Sequence, residues 1–89
     1  MINSFTGNYS FLSNFYQVTI EYDGLRFTSV EAAYQAAKCA NVKDRYPFTA
    51  MTPSEAKRAG RRVVLREDWE NVKISVMREL LIIERLRLS

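Results

Sequence analysis

Thr28-Ser29-Val30-Glu31-Ala32-Ala33-Tyr34-Gln35-Ala36-Ala37-Lys38 decides how the rest of this 89-residue chain is read. It opens like a helix. Thr28 is a good N-cap, Ser29 is another, and a run of helix formers follows, so a helix is expected from about Ser29 to Asn41. Val30, Ala33, Tyr34 and Ala37 fall on one face and read as core. Glu31, Gln35 and Lys38 stand at i, i+4 and i+7 and share a narrow polar stripe. The alanines keep the rod slim, so neighbouring backbone can approach closely. A carboxylate, an amide and an ammonium on a helix built to be surrounded is the constellation here that suggests chemistry. The plain alternative stands beside it. Thr28-x-x-Glu31 also fits a capping box, with the glutamate reaching back to the Thr28 amide and Gln35 and Lys38 in solvent.

Outward from the helix, Val18, Ile20 and Tyr22 alternate with Thr19 and Glu21, as in a half-buried strand. Asp23-Gly24 is a strong two-residue hairpin turn, and Leu25 to Phe27 is the return strand. Further upstream, Met1 to Thr6 reads as a short strand. Tyr9 to Tyr16 mixes four aromatics with Ser10, Ser13 and Asn14 and reads as an ordered loop, with polar groups to cap turns or to face a pocket. Downstream, Val42 to Ala50 has no clean period. Thr52-Pro53-Ser54-Glu55 combines an N-cap, a proline at the first helical position and a glutamate at the third, and Gly60 is a good residue to end that helix. Asp68 is expected to cap a last helix that starts at Trp69. That helix carries one apolar stripe of Trp69, Val72, Val76, Leu80 and Ile83 and a second of Ile74, Met77 and Leu81.

Composition bounds the function. The length fits one domain with a modest core. There is no histidine, which removes histidine general bases, Ser-His-Asp triads and histidine-held zinc. Acid-base work falls to carboxylates, lysine or tyrosine. The lone cysteine, Cys39, excludes an internal disulfide framework and fits a reducing, cytoplasmic setting; no apolar run has the length of a membrane span. Charge is uneven. Residues 1–41 hold two basic and three acidic side chains, and residues 42–89 hold eleven and seven, so the second half could face a phosphate or nucleic acid, with a mixed-sign solvated surface the better account of most of these charges. Eight of eleven aromatics lie in the first 34 residues, which marks that half as core or pocket wall.

Taken together, Phe11-Leu12-Ser13-Asn14-Phe15-Tyr16, the Asp-Gly hairpin, Ser29-Val30-Glu31-Ala32-Ala33-Tyr34-Gln35-Ala36-Ala37-Lys38, Pro53-x-x-Ala56-Lys57-x-x-Gly60-Arg61 and Trp69-x-x-Val72-Lys73-x-x-Val76-Met77 resemble the NADAR family of YbiA-like N-glycosidases. The resemblance implies an α+β fold, a small antiparallel hairpin with three main helices packed on it. It implies hydrolysis of an N-glycosidic bond to ribose, in a riboflavin-pathway ribosylaminopyrimidine or in ADP-ribosylated guanine, with no metal or organic cofactor. Glu31 matches the family's catalytic glutamate and Trp69 an active-site tryptophan. Asn14, Phe15, Gln35 and Lys38 are expected on the substrate side. Ala32 stands where the family often has histidine. No segment here matches the acidic and Trp-Gly motif that completes the family's site, so the resemblance is expected to cover the N-terminal two thirds of the domain. Other readings follow from that gap. One is a truncated, catalytically inactive module that binds ADP-ribose or nucleotides. Another is a subunit completed by a partner chain, or self-associating, through the last helix. DNA binding through Arg61, Arg62 and Arg66 ranks below these, because no DNA-binding motif surrounds them.

Overall fold

The computed structural model describes residues 16–88. The upstream expectations, the short first strand and the Tyr9–Tyr16 loop up to Phe15, with Asn14 and Phe15 themselves, lie outside those residues.

Two short strands, β1 (Ile20–Tyr22) and β2 (Leu25–Phe27), pair antiparallel with Ile20 opposite Phe27, Glu21 opposite Arg26 and Tyr22 opposite Leu25. The turn between them has positive φ at both central residues, 55° at Asp23 and 81° at Gly24. That is the two-residue turn whose twist matches a hairpin, and it explains the choice of Asp-Gly. Ile20 and Phe27 face the core, while Glu21 and Arg26 form a cross-strand ion pair on the solvent side at 3.0 Å. The backbone pairing extends one step, from the Val18 amide to the Thr28 carbonyl.

Three α-helices follow: α1 (Val30–Ala37), α2 (Pro53–Ala59) and α3 (Trp69–Leu88). The α+β expectation, a small hairpin with three main helices, is what the described residues form. α1 is central. It packs against α2, α3, both strands and the segment between α1 and α2. Seven of its eight residues are buried: Val30, Glu31, Ala32, Ala33, Gln35, Ala36 and Ala37. The small side chains allow this, since four alanines leave room for neighbouring elements on every side.

Several local expectations change. The N-cap of α1 is Ser29, whose Oγ accepts from the Ala32 amide at 3.1 Å; the Thr28 hydroxyl donates instead to the Met51 carbonyl at 2.9 Å. The helix stops at Ala37 rather than Asn41, because the backbone after it is taken by another part of the chain. The Arg66 amide donates to the Lys38 carbonyl, the Ala40 amide donates to the Val64 carbonyl, and Cys39 forms a bridge with Leu65. Val42–Ala50, which shows no clean period, is a 3-10 helix that buries Phe48 and contains Pro47. Its tighter pitch has no 3.6-residue pattern to display. At α2 the expected capping box is complete, with the Thr52 hydroxyl accepting from the Glu55 amide and the Glu55 carboxylate accepting from the Thr52 amide. Gly60 ends this helix with φ at −62°, so its role there is not the left-handed turn that glycine usually supplies. Asp68 precedes α3, but its carboxylate is held by Arg66 through two hydrogen bonds of 2.6 and 3.1 Å. Its carbonyl accepts from the Asn71 and Val72 amides.

On α3 the first stripe faces inward, with Trp69, Val76 and Leu80 buried and Val72 and Ile83 packed at its edge. Of the second stripe, Met77 and Leu81 are half-buried and Ile74 is exposed. No described helix is long and apolar enough to cross a membrane.

The hairpin is tied to α3 by the Tyr22 hydroxyl, which donates to Glu79 at 3.0 Å. Burial first, then this hydrogen bond, pushes the Tyr22 hydroxyl from 10.0 up to about 12. A folded value above the unfolded one gives stability that is complete below pH 10 and is lost as the pH rises toward 12. Urea midpoints measured across that window are expected to fall more steeply for the parent chain than for Tyr22→Phe. Parallel curves would rule out Tyr22 as a source of the alkaline loss.

Candidate functional site

Position i to i+4 on α1 brings two of the predicted polar residues together. The Gln35 Nε2 donates to Glu31 Oε2 at 2.5 Å, with both residues buried, at 6% exposure for Glu31 and 5% for Gln35. Glu31 is therefore not folded back onto the first amides of its helix, and no capping box forms at this end; Ser29 performs that task. A carboxylate that needs no capping role, placed inside the fold and held by one amide, is what a preorganised charged group requires.

Gln35 is costly as a purely structural residue. Its Nε2 serves Glu31, but its Oε1 is buried with no hydrogen-bond partner among the described residues. An unsatisfied buried carbonyl costs about 1–3 kcal/mol, and a leucine or methionine would fill the space without that penalty. The oxygen lies against Gly60. A Cβ added at Gly60 would stand 1.9 Å from Gln35 Oε1 and 2.7 Å from its Cδ. Gly60 is glycine because α2 must come this close to the Gln35 amide. Sequence reading places Gly60 at a helix end for the wrong reason and does not connect it to the site. No short-range pattern links positions 35 and 60.

Lys38 does not join the pair. It occupies the C-cap of α1, half-buried; its backbone amide donates to the Gln35 carbonyl at 3.2 Å, but among the described residues no side-chain hydrogen bond or ion pair connects it to Glu31 or Gln35. As the C-cap it keeps helical dihedrals, with φ −65° and ψ −26°, so the seven-residue spacing from Glu31 still holds for its backbone. Trp69 is 5% exposed and packs against Tyr34, with ring centroids 5.2 Å apart and planes tilted by 59°. This geometry is a favourable aromatic contact. Tyr34, which the sequence pattern places in the core, is only half-buried. Burial pushes its hydroxyl up from 10.0; Lys73 opposes that, and Glu31 and Glu70 reinforce it. The tyrosine thus feels the Glu31 charge from the next turn of the same helix, and it is a site neighbour the sequence reading missed. Asn14 and Phe15 lie outside the described residues. Glu31 is not in the walls of the clefts beside Arg58, around the hairpin at Tyr22 and Leu25, or along α3 at Met77.

Cys39 is fully buried and its thiol is pushed up by burial, so it behaves as a small core residue rather than a nucleophile.

Against known proteins, the NADAR domain model matches residues 3–84. The solution structure of the E. coli protein YbiA is similar, with a TM-score of 0.69 and 36% identity. That match covers 81% of this chain and 45% of the YbiA chain, so the chain spans less than half the length of that relative. No curated protein gives a significant match. A family match over nearly the whole chain, on a fold centred on the helix that carries Glu31, establishes that the chain belongs to the NADAR family.

Proposed function

We propose that this chain carries the glutamate of an N-glycosidase site and acts on an N-glycosidic bond to ribose. The substrate class is a riboflavin-pathway ribosylaminopyrimidine or an ADP-ribosylated guanine base. The observation that carries the reading is the buried Glu31 carboxylate, oriented by Gln35 at 2.5 Å on a helix surrounded by the fold. Cleavage of such a bond develops positive charge on the ribosyl ring and needs an oriented water. Glu31 would stabilise that charge through the ribose hydroxyls or polarise the water. Gln35 would fix its rotamer. Trp69 backs the Tyr34 ring as one wall, with Asn14, Phe15 and Lys38 proposed on the substrate side. Membership of the family and the placement of Glu31 support this reading; the substrate is the proposal.

Glu31→Gln keeps the side chain's shape and removes its charge. Base release from each substrate class by the full chain is expected to fall by about 100-fold or more, in line with the loss of a positioned acid or base. Release at the parental rate would sink the catalytic role. Binding of ADP-ribose with no turnover by the parent chain would identify a binding module instead.

A further inference from the structure

One face of α3 is left open by the other described elements. Beside Tyr34, the side chains of Lys73, Ile74, Met77, Arg78 and Leu81 wall a groove of about 450 Å³ along the helix. Ile74, Met77 and Leu81 make its apolar part, and Ile74 is 67% exposed. Helical spacing carries the same face in both directions. Glu70 lies one turn before Ile74, Arg85 one turn after Leu81, and Leu88, also exposed, about one turn beyond Arg85. Trp69, Val76 and Leu80, which pack inward, are on the other side of the helix. The cations of this face find no acid within the chain. Arg26, Arg45 and Arg66 are each paired, with Glu21, Asp23 and Asp68. Arg78 and Arg85 are exposed and have no ion-pair partner among the described residues. Residues 1–15 contain no Asp or Glu that could serve as one.

We infer that this face pairs with the same face of a second copy of the chain, the two α3 helices running antiparallel about a twofold axis between positions 77 and 78. A twofold interface must be self-complementary, because one patch serves both partners. This face meets that demand in one register. Ile74 falls opposite Leu81 of the second copy, Met77 opposite Arg78, and Glu70 opposite Arg85, and each pairing occurs twice. Apolar side chains then meet on either side of the axis, and a carboxylate meets a guanidinium at both ends. Glu70 is free to do so. Its side chain is 78% exposed, and its contact within the chain is an exposed pair with Lys73 three residues on, an interaction of little worth. A parallel pairing would set Glu70, Arg78 and Arg85 each against its own copy, with like charges along its length. The antiparallel register has one such approach, Arg78 beside Arg78 at the axis. There the methylene stems can cover Met77 while the charged heads turn to water. The inference rests on α3 and does not require Glu31 to hydrolyse anything.

One helix face a side is at the small end of specific interfaces, so a monomer–dimer equilibrium with Kd on the order of 10–100 μM is expected. Sedimentation equilibrium of the full chain across that range, at low salt, tests it. Ile74→Glu is expected to weaken the dimer by about tenfold or more, since it buries a charge without a partner. Leu86→Glu replaces a side chain that is 71% exposed but lies about a third of a turn round the helix, and it is expected to change Kd by less than about twofold. Glu70→Arg and Arg85→Glu are each expected to weaken the dimer by about threefold or more, and the two together to return it to within about twofold of the parent. Arg78→Gln is expected to tighten it by about twofold, because the like-charge approach at the axis is gone. Thermal melts check that the variants fold. A parent that stays monomeric throughout overturns the inference and leaves the groove to another occupant, a segment of this chain or a different protein. Equal losses for Ile74→Glu and Leu86→Glu, or a charge-swapped double variant no tighter than its single variants, overturn it as well.

Discussion

Leu80→Ala is expected to lower the free energy of unfolding by about 2–5 kcal/mol, the range for truncating a fully enclosed leucine. Leu80 is 0% exposed and belongs to the cluster that also holds Ile20, Val30, Ala33 and Val76. It lies on the α3 face packed against α1 and β1. The loss is large relative to what a small domain has, since net stability is usually about 5–15 kcal/mol. α1 offers little to fill the gap. Its buried apolar side chains are Val30 and four alanines, and short side chains cannot swing into a hole. The measurement is the urea midpoint of Leu80→Ala against the parent, with Leu80→Met as a volume-preserving control expected to lose less than about 1.5 kcal/mol. Equal losses for the two variants would show that α3 is not packed through this residue.

Gly60→Ala has the next largest expected effect, and its interest is where the strain goes. The added Cβ would overlap Gln35 Oε1 at 1.9 Å and approach the Ala56 carbonyl at 3.2 Å. The Gln35 amide is the end of a flexible side chain, so it is the part that yields. It is also buried, so it cannot leave without disturbing its neighbours. Overpacking of this kind costs about 1–3 kcal/mol. The displacement would break the 2.5 Å hydrogen bond to Glu31. Gly60→Ala should therefore lose both stability and whatever Glu31 does, although position 60 is on another helix. Gln35→Leu separates the two effects. It removes the unpaired oxygen but also strands the buried Glu31 carboxylate, so the two effects on stability oppose and the urea midpoint is expected to move less than in Gly60→Ala, while ribosyl-substrate turnover falls as in Glu31→Gln. A Gly60→Ala chain with parental midpoint and parental turnover would mean that α2 and Gln35 do not meet this closely.

Most elements are legible in the sequence because their causes are local. The Asp-Gly turn needs two residues with positive φ and has them at Asp23 and Gly24. The Thr52 capping box is written in four consecutive residues. The inward stripe of α3 repeats at helical spacing through Trp69, Val76 and Leu80. Glu84, buried one turn beyond Leu80, breaks that pattern, and no periodicity argument would place a carboxylate there.

The site shows the same division. The i, i+4 spacing of Glu31 and Gln35 is enough to predict that they touch, because a helix fixes that geometry by itself. Which of the two glutamate roles is realised, cap or buried charge, is not decided by that spacing. Ser29 takes the cap, and Thr28 is drawn away to Met51, 23 residues on. The end of α1 has a similar origin, since backbone from 64–66 claims the hydrogen bonds of residues 38 to 40. The sequence alone determined the hairpin, the capping box, the apolar face of α3 and the meeting of Glu31 with Gln35, all governed by bonds and spacings within a few residues. Only the tertiary structure decided where α1 ends, why position 60 is glycine and which arginines have partners. Those outcomes depend on space and hydrogen bonds shared between segments far apart in the chain.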